Sequence, residues 1–313
     1  MTEERGRLGL TDLPRVGPAV VTLGVFDGVH LGHRAILEAT RDEAAVRGLT
    51  SLALVFDPPP VEVLRPGTSV PRLAPLPVNL ERIEAHVDRA IPIRFDEAVR
   101  TLTAEEFLEA LSPAVSLGGL TMSSRSAFGR DRGGTPTRMQ QLGAERGFAV
   151  RLVEPVEVEG AIVSSTRVRA AIADGDVEGA RGLGVMPYLE GTVVAGDRRG
   201  RELGFPTANL QLGYRPAMPS LGIYAGRLTE AGPSVTTGHP ALISVGTRPT
   251  FHDGTEVLAE VHLLDFDGDL YGERLGVELL ARLRDEQRFE DAEALVTQMR
   301  QDAENGRAVL GLS

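Results

Sequence analysis

The spacing of apolar residues changes once along this chain, near Gly182–Pro187, and this change restricts the possible folds most strongly. Before it, apolar runs alternate with stretches of helical periodicity, which is typical of a parallel sheet covered by helices. After it, short apolar runs lie between glycines and prolines, which is typical of a small barrel or sandwich. The sequence therefore predicts an α/β domain over 1–184 and a β domain over 185–313, and a length of 313 residues agrees with two cores.

The predicted elements follow from this pattern. In the first domain, the strands are Ala19–Val25, Leu52–Phe56, Ile91–Phe95, Val115–Leu120 and Phe148–Val153. The helices are Arg34–Arg47, Leu102–Leu111 (with Thr103 and Glu106 as a capping box) and Thr166–Ala173. In the second domain, the strands are Leu189–Ala195, Gly222–Leu228, Ala241–Val245, Val257–Leu264 and Gly276–Leu283, followed by a helix over about Phe289 to Val309.

Composition excludes several classes of function. The net charge of −11 disfavours extended nucleic-acid binding, because an acidic chain repels polyphosphate. The sequence has no cysteine, and therefore no disulfide or thiolate metal site. It also has no apolar run of membrane-spanning length and no secretory signal, so we expect no membrane partner and a cytoplasmic location. The oligomeric state is left open.

The segment after the first predicted strand reads FDGVHLGH over 26–33 and leads into a helix. Glycines and a helix N-terminus allow the backbone to approach a phosphate, and two histidines can direct donors at it. The alternatives are an ordinary turn with surface histidines, or a metal pair. The candidate nucleotide-binding residues are Gly24, Phe26, Asp27, Gly28 and Gly32, with His30 and His33 as candidate catalytic residues.

A second segment, SSTRVR over 164–169, opens a predicted helix. Hydroxyls and free N–H groups at a helix start favour an anion, and Arg169 adds a fixed positive charge. By itself the segment could be a simple helix cap with solvated arginines, but together the two segments favour phosphate chemistry. The candidates here are Ser164, Ser165 and Thr166 for binding, and Arg169 for catalysis.

A glycine- and arginine-rich segment, AGDRRGRELGFPTANL, occupies 195–210 in the second domain. Such a segment can fold over phosphates, and hydroxyl and amide oxygens suit Mg²⁺ beside a nucleotide. The alternative is a hairpin with a solvated basic tip. The candidate binding residues are Gly196, Gly200, Arg201, Gly204 and Pro206, with Thr207 and Asn209 as candidate metal ligands.

These motifs together resemble the bacterial bifunctional riboflavin kinase/FMN adenylyltransferase (FAD synthetase) family. GVFDGVHLGH at 24–33 and SSTRVR at 164–169 match its adenylyltransferase half. This resemblance implies a Rossmann-like nucleotidyltransferase fold that adenylylates FMN to FAD. It also implies that the two segments bind ATP phosphates.

The match to the kinase half runs in order from about Leu183 to the C-terminus, through GRELGFPTAN at 200–209, AEVH at 259–262 and LRDE at 283–286. It implies a six-stranded barrel with a terminal helix that phosphorylates riboflavin to FMN with ATP and Mg²⁺. By this resemblance Thr207 and Asn209 hold Mg–ATP, Glu260 is the general base and Arg284 borders riboflavin. His262, on the same strand face as Glu260, is expected to be structural.

Departures from the family pattern cluster in the first domain. Pro59 replaces a histidine, Arg125 replaces an acid or amide, and Ser126 replaces an aromatic residue. Two interpretations stay open: a weakened or altered acceptor site, or Arg125 as an alternative contact to the FMN phosphate. A third hypothesis is a flavin- or nucleotide-binding sensor without turnover, which the retained Thr207, Asn209 and Glu260 disfavour.

Overall fold

A computed structural model describes residues 6–195, 204–249 and 255–312, and the chain divides into two compact units. The first comprises Met1–Val70 and Pro75–Ser165, and the second comprises Pro71–Ala74 and Thr166–Ser313. The domain boundary at 184/185 stays a prediction. Among the described helices, none has both the length and the apolar character needed to cross a bilayer.

The first unit is built on a five-stranded parallel sheet with the strand order β3-β2-β1-β4-β5. The strands are β1 Gly17–Gly24, β2 Thr50–Asp57, β3 Arg89–Arg94, β4 Val115–Ser123 and β5 Ala149–Val153. The helices are α1 Leu31–Arg47, α2 Pro60–Leu64, α3 Leu76–Glu84, α4 Glu97–Arg100, α5 Ala104–Leu111 and α6 Pro136–Arg146. A short antiparallel pair follows, formed by β6 Glu157–Val158 and β7 Ala161–Ile162. The predicted parallel α/β architecture is confirmed.

Burial explains why the central strands read as continuous apolar runs. The β2 residues from Ser51 to Asp57 are all buried, because helices cover both faces of the sheet.

The predicted capping box is confirmed. The Thr103 hydroxyl accepts a hydrogen bond from the Glu106 N–H, and the Glu106 carboxylate accepts one from the Thr103 N–H. Helix α1 begins three residues earlier than predicted, because His30 caps it.

The second unit is a closed antiparallel barrel with the strand order β10-β11-β12-β9-β8-β13. Its strands are β8 Tyr188–Val194, β9 Ala208–Gln211, β10 Gly222–Glu230, β11 Pro240–Pro249, β12 Thr255–Leu263 and β13 Arg274–Asp285. Its helices are α7 Ser165–Ala173, α8 Val177–Gly182 and α9 Ala292–Val309. The six-stranded barrel with a terminal helix is confirmed. Of its six strands, the apolar pattern alone missed the four-residue strand β9, and helix α8 was not predicted either.

Alternation of side chains along the strands decides what lies inside the barrel. On β12, Ala259, Val261 and Leu263 are buried in an apolar core with matching residues of the other five strands. Glu260 and His262 alternate with them and therefore face outward. The interior is a packed core, so any chemistry on this strand takes place on the outer wall.

Helix α9 covers part of that outer wall. It starts at Ala292 rather than at Phe289, because the Asp291 carboxylate accepts a hydrogen bond of 2.8 Å from the Ala294 N–H and caps the helix. Gly306 is buried against the wall, and a Cβ there would lie 2.5 Å from Leu242 Cδ2. The absence of a side chain at Gly306 thus lets the helix approach the barrel closely.

Substituting Gly226 tests the packing of the barrel. A Cβ on Gly226 would overlap the carbonyl oxygen of Glu278 on the neighbouring strand. We expect Gly226→Ala to lower the free energy of unfolding by about 2 kcal/mol, measured by urea denaturation followed by circular dichroism. The matched control is Gly213→Ala, where the added Cβ meets nothing within 4 Å. Equal stability of the two variants would contradict the prediction.

Candidate active sites

The loop between β1 and α1 has a strained backbone. Phe26 and Val29 have left-handed φ values of 49° and 47°, which are unusual for a residue with a side chain and costly for a β-branched one. The Gly28 N–H donates a 2.9 Å hydrogen bond to Oδ1 of Asn79, and both groups are buried. Strain of this kind persists only where the surroundings enforce it, and it is concentrated at functional sites.

The two candidate catalytic histidines stack on each other. Their ring centroids are 3.6 Å apart with an interplanar angle of 19°, and the Phe26 ring meets His33 edge-on at 5.3 Å. Nδ1 of His30 accepts a 3.3 Å hydrogen bond from the His33 N–H, so a neutral His30 carries its proton on Nε2. His30 thus caps the start of α1, and the pair lies at the carboxyl end of β1, where parallel sheets bind ligands.

The two predicted phosphate segments meet within the first unit. A Cβ on Gly32 would lie 3.2 Å from the His30 ring and 3.5 Å from the Val163 carbonyl oxygen. The Ser165 hydroxyl donates a 3.3 Å hydrogen bond to the Asp27 carbonyl. Glycine at 32 therefore leaves room for the segment that contains Ser164 and Ser165 to lie against the loop.

Thr166 and Arg169, the other two residues predicted for this segment, belong to the second unit. There, Arg169 Nε donates a 2.7 Å hydrogen bond to the Pro71 carbonyl. Their roles at the phosphates stay predictions.

The residues that depart from the family pattern lie at the carboxyl ends of two strands that flank β1. Pro59 is buried at the start of α2, two residues after β2 ends at Asp57. Arg125 and Ser126 are exposed in a turn after β4, in which the Ser126 N–H and hydroxyl both donate to the Ser123 carbonyl. Arg125 therefore lies at the carboxyl edge of the sheet, where parallel sheets commonly bind ligands.

A cavity of about 670 Å³ lies within the second unit and contains the predicted kinase residues. Thr207, Asn209 and Glu260 line it together with residues of the outer wall, of α9 and of the loop before β13. Side chains from α9 and the segment before it, including Phe289, Leu295 and Met299, make part of the lining apolar. The cavity thus has both polar and apolar side chains in its lining.

One row of paired residues runs across five adjacent strands along this cavity. Asn209 on β9 lies opposite Glu260 on β12, and Glu260 lies opposite Ser244 on β11. Ser244 lies opposite Ile223 on β10, which lies opposite Arg284 on β13. All five line the cavity, so the pairing register brings together residues that are far apart in the sequence.

The segment that carries Thr207 is anchored to the barrel by His262. His262 Nδ1 forms a 2.8 Å hydrogen bond with the Pro206 carbonyl oxygen, and its ring lies 5.5 Å from the Phe205 ring. Gly204 has φ of 84°, which glycine adopts without strain. The predicted binding residues Gly196, Gly200 and Arg201 lie outside the described residues.

Arg284 makes a two-pronged ion pair with Asp302 of helix α9. Its Nε and one terminal nitrogen donate to the two carboxylate oxygens at 2.8 and 2.7 Å, and the side chains are 15% and 4% exposed. Gln298 adds a 2.9 Å hydrogen bond to Asp302, and the Arg284 guanidinium lies 5.8 Å from the centre of the Phe289 ring. The ion pair therefore joins the barrel wall to the helix that covers it.

A second ion pair holds the loop that lines the cavity. Arg307 of α9 donates to the Asp265 carboxylate at 2.5 Å, and this hydrogen bond lowers the pKa of Asp265. Asp265 has φ of 57° and precedes Phe266, which also lines the cavity.

In the described residues, no group of three or more histidine or acidic side chains could hold a metal ion. Thr207 and Asn209, which offer a hydroxyl and an amide oxygen, fit Mg²⁺, because this ion needs few protein ligands beside nucleotide phosphates.

Two family models match the chain, FAD synthetase over residues 14–167 and riboflavin kinase over 183–310. The bifunctional riboflavin kinase/FMN adenylyltransferase of Pseudomonas fluorescens is 38% identical over 304 residues, covering 96% of each chain. The chain belongs to the bifunctional riboflavin kinase/FMN adenylyltransferase family. The family member from Escherichia coli K12 is 36% identical and covers 99% of this chain and 98% of its own.

A solved structure has the same fold as this family member. It is a crystal structure described as a macrolide-efflux protein from Streptococcus pneumoniae, with 32% identity and a TM-score of 0.86. The match covers 96% of this chain and 97% of the other.

Sequence reasoning missed three residues of these sites: Asn79, Ser244 and Asp302. Each is an ordinary polar residue in the sequence and belongs to no motif. Ser244 lies 16 positions from Glu260 and becomes its neighbour only through the antiparallel register. Asp302 is 18 positions from Arg284, and only its near-complete burial reveals its importance.

Removing Asp302 tests the ion pair. We expect Asp302→Ala to lower the free energy of unfolding by about 3 kcal/mol, because it leaves the mostly buried Arg284 guanidinium without its partner. Urea denaturation measures the change, and Glu304→Ala, at an exposed acid on the same helix, is the control. The double substitution Asp302→Leu with Arg284→Met should recover much of the loss. Stability of Asp302→Ala equal to that of the control would contradict the prediction.

Proposed function

We propose that the barrel, residues 185–313, transfers the γ-phosphate of ATP to riboflavin and forms FMN. The observation that carries this proposal is the row that joins Asn209, Glu260 and Arg284 along a single cavity lined by both polar and apolar side chains. A flavin needs both kinds of contact, because it has a planar apolar ring and a polar ribityl chain.

In this reaction Glu260 accepts the proton of the ribityl 5′-hydroxyl as that oxygen attacks the γ-phosphorus. The new P–O bond forms while the bond to the bridging oxygen breaks, and ADP leaves. Thr207 and Asn209 would hold Mg²⁺, which neutralises charge on the phosphates when it is bound. The reaction needs positioning and charge stabilisation more than covalent chemistry, and neighbouring strands of one barrel supply rigid positions.

The apolar side chains of the cavity lining suit the flavin ring. Phe289, Leu295 and Met299 offer apolar and polarizable contacts, and α9 holds them against the barrel through Asp302 and Arg284. Arg284 also lines the cavity, and the Asp302 carboxylate already orients its guanidinium. Small-molecule substrates, without nucleic-acid or membrane partners, agree with a cavity of this size and with the net charge of −11.

The kinase proposal predicts the effect of one substitution. Glu260→Gln should reduce FMN formation from riboflavin, ATP and Mg²⁺ at least about 100-fold, because the amide cannot accept the proton. Chromatography of the flavin products measures the rate, and Glu304→Gln is the control. Wild-type protein that forms no FMN, or a Glu260→Gln variant as active as wild type, would overturn the proposal.

For the first unit we propose adenylylation of FMN to FAD. A phosphate oxygen of FMN attacks the α-phosphorus of ATP, and pyrophosphate leaves. The strained loop that carries His30 and His33, with Ser164 and Ser165 against it, supports a role in holding the ATP phosphates.

A second candidate for this unit is a nucleotidyltransferase with a different phosphate-bearing acceptor. The observation in its favour is the exposed Arg125–Ser126 pair at the carboxyl end of β4, where the family has an acid or amide and an aromatic residue. Both candidates place an acceptor phosphate near Arg125. They differ in whether FMN is the acceptor.

The FMN proposal assigns Arg125 to the acceptor phosphate. Arg125→Ala should raise KM for FMN about tenfold and leave KM for ATP unchanged, because the substitution removes one charge-assisted contact. FAD formation followed by chromatography gives both constants. Arg89→Ala, at the exposed start of β3 and the opposite end of the sheet, is the control. A wild-type chain that forms no FAD from FMN would favour the altered acceptor, and an unchanged KM would remove Arg125 from the site.

A further inference from the structure

Ser244 is the cross-strand neighbour of Glu260 and belongs to no motif. The two residues are register partners on β11 and β12, and both line the cavity and are half-buried. Directly opposed residues of an antiparallel pair share one face, with Cβ atoms about 5 Å apart. The flanking residues Ile243 and Val245 are buried in the barrel core, which fixes Ser244 on the outer wall beside Glu260.

The two cross-strand neighbours of Glu260 differ chemically. On one side Asn209 offers an amide, and on the other Ser244 offers a hydroxyl that can donate a hydrogen bond. If the Asn209 oxygen binds the proposed Mg²⁺, Ser244 is the cross-strand neighbour that can still orient the Glu260 carboxylate. A glutamate side chain has three rotatable bonds, and holding it in one rotamer has an entropic cost that a neighbouring donor can offset.

We infer that Ser244 is a positioning residue for the general base. Its hydroxyl donates to one carboxylate oxygen of Glu260, and the other oxygen is left to accept the proton of the substrate hydroxyl. Hydrogen bonds of this kind commonly tighten only in the substrate complex. This inference rests on the proposed riboflavin kinase activity and adds a residue that acts through Glu260.

The inference predicts that removing the Ser244 hydroxyl lowers kcat and has little effect on KM. Ser244→Ala should lower kcat for FMN formation about tenfold and leave KM for riboflavin and for ATP within about twofold, because a hydrogen bond to a charged group is lost while substrate contacts stay. Ser244→Thr keeps the hydroxyl and a β-branched shape that suits a strand, and should retain most of kcat. Ser244→Cys has nearly the volume of serine but is a poor donor, and should lose as much as Ser244→Ala.

The control is Thr192→Ala, which removes an exposed hydroxyl from β8 that does not line the cavity. Steady-state kinetics by flavin chromatography, with thermal unfolding of each variant, give the comparison. If Ser244→Ala unfolds, the isosteric Ser244→Cys carries the test.

Three results would overturn the inference: a kcat within twofold of wild type, a loss that appears in KM for riboflavin (which would make Ser244 a substrate contact), or a Ser244→Thr variant as slow as Ser244→Ala. Failure of the underlying function is distinguishable, because wild-type protein would then form no FMN at all.

Discussion

Both units fill the space beside their strands with aliphatic side chains, and this packing decides where chemistry can occur. In the barrel, residues such as Ala259 and Val261 point inward to a core with no room for a substrate. In the parallel sheet, helices bury both faces of the central strands. Polar groups that must meet a ligand are therefore confined to the outer wall of the barrel or to the ends of the strands.

The two candidate sites illustrate these two solutions. At the carboxyl end of β1, a strained loop held by Asn79 places His30 at the start of a helix, where free N–H groups favour phosphate. On the barrel, the outward residues Asn209, Glu260 and Ser244 form a row on adjacent strands. A loop can adjust its shape to a nucleotide, whereas a row on hydrogen-bonded strands has a fixed spacing.

Helix α9 turns the exposed wall into a cavity. Its apolar face alone would not fix its position along the barrel, because apolar contacts are not directional. The Arg284–Asp302 ion pair is directional, and the absence of a side chain at Gly306 allows the helix to lie close to Leu242. These two features together set the shape of the cavity in which Glu260 and the proposed metal ligands lie.

The sequence by itself determined the two architectures and the capping box at Thr103, and it identified the motifs that carry the candidate site residues, because periodicity and short motifs are local properties. It missed strand β9, whose four residues are too few for alternation to be recognised. Only the tertiary structure decided that Ser244 lies beside Glu260 and that Asp302 pairs with Arg284. Strand register and helix docking depend on the packing of the whole core, and no local pattern encodes such long-range contacts.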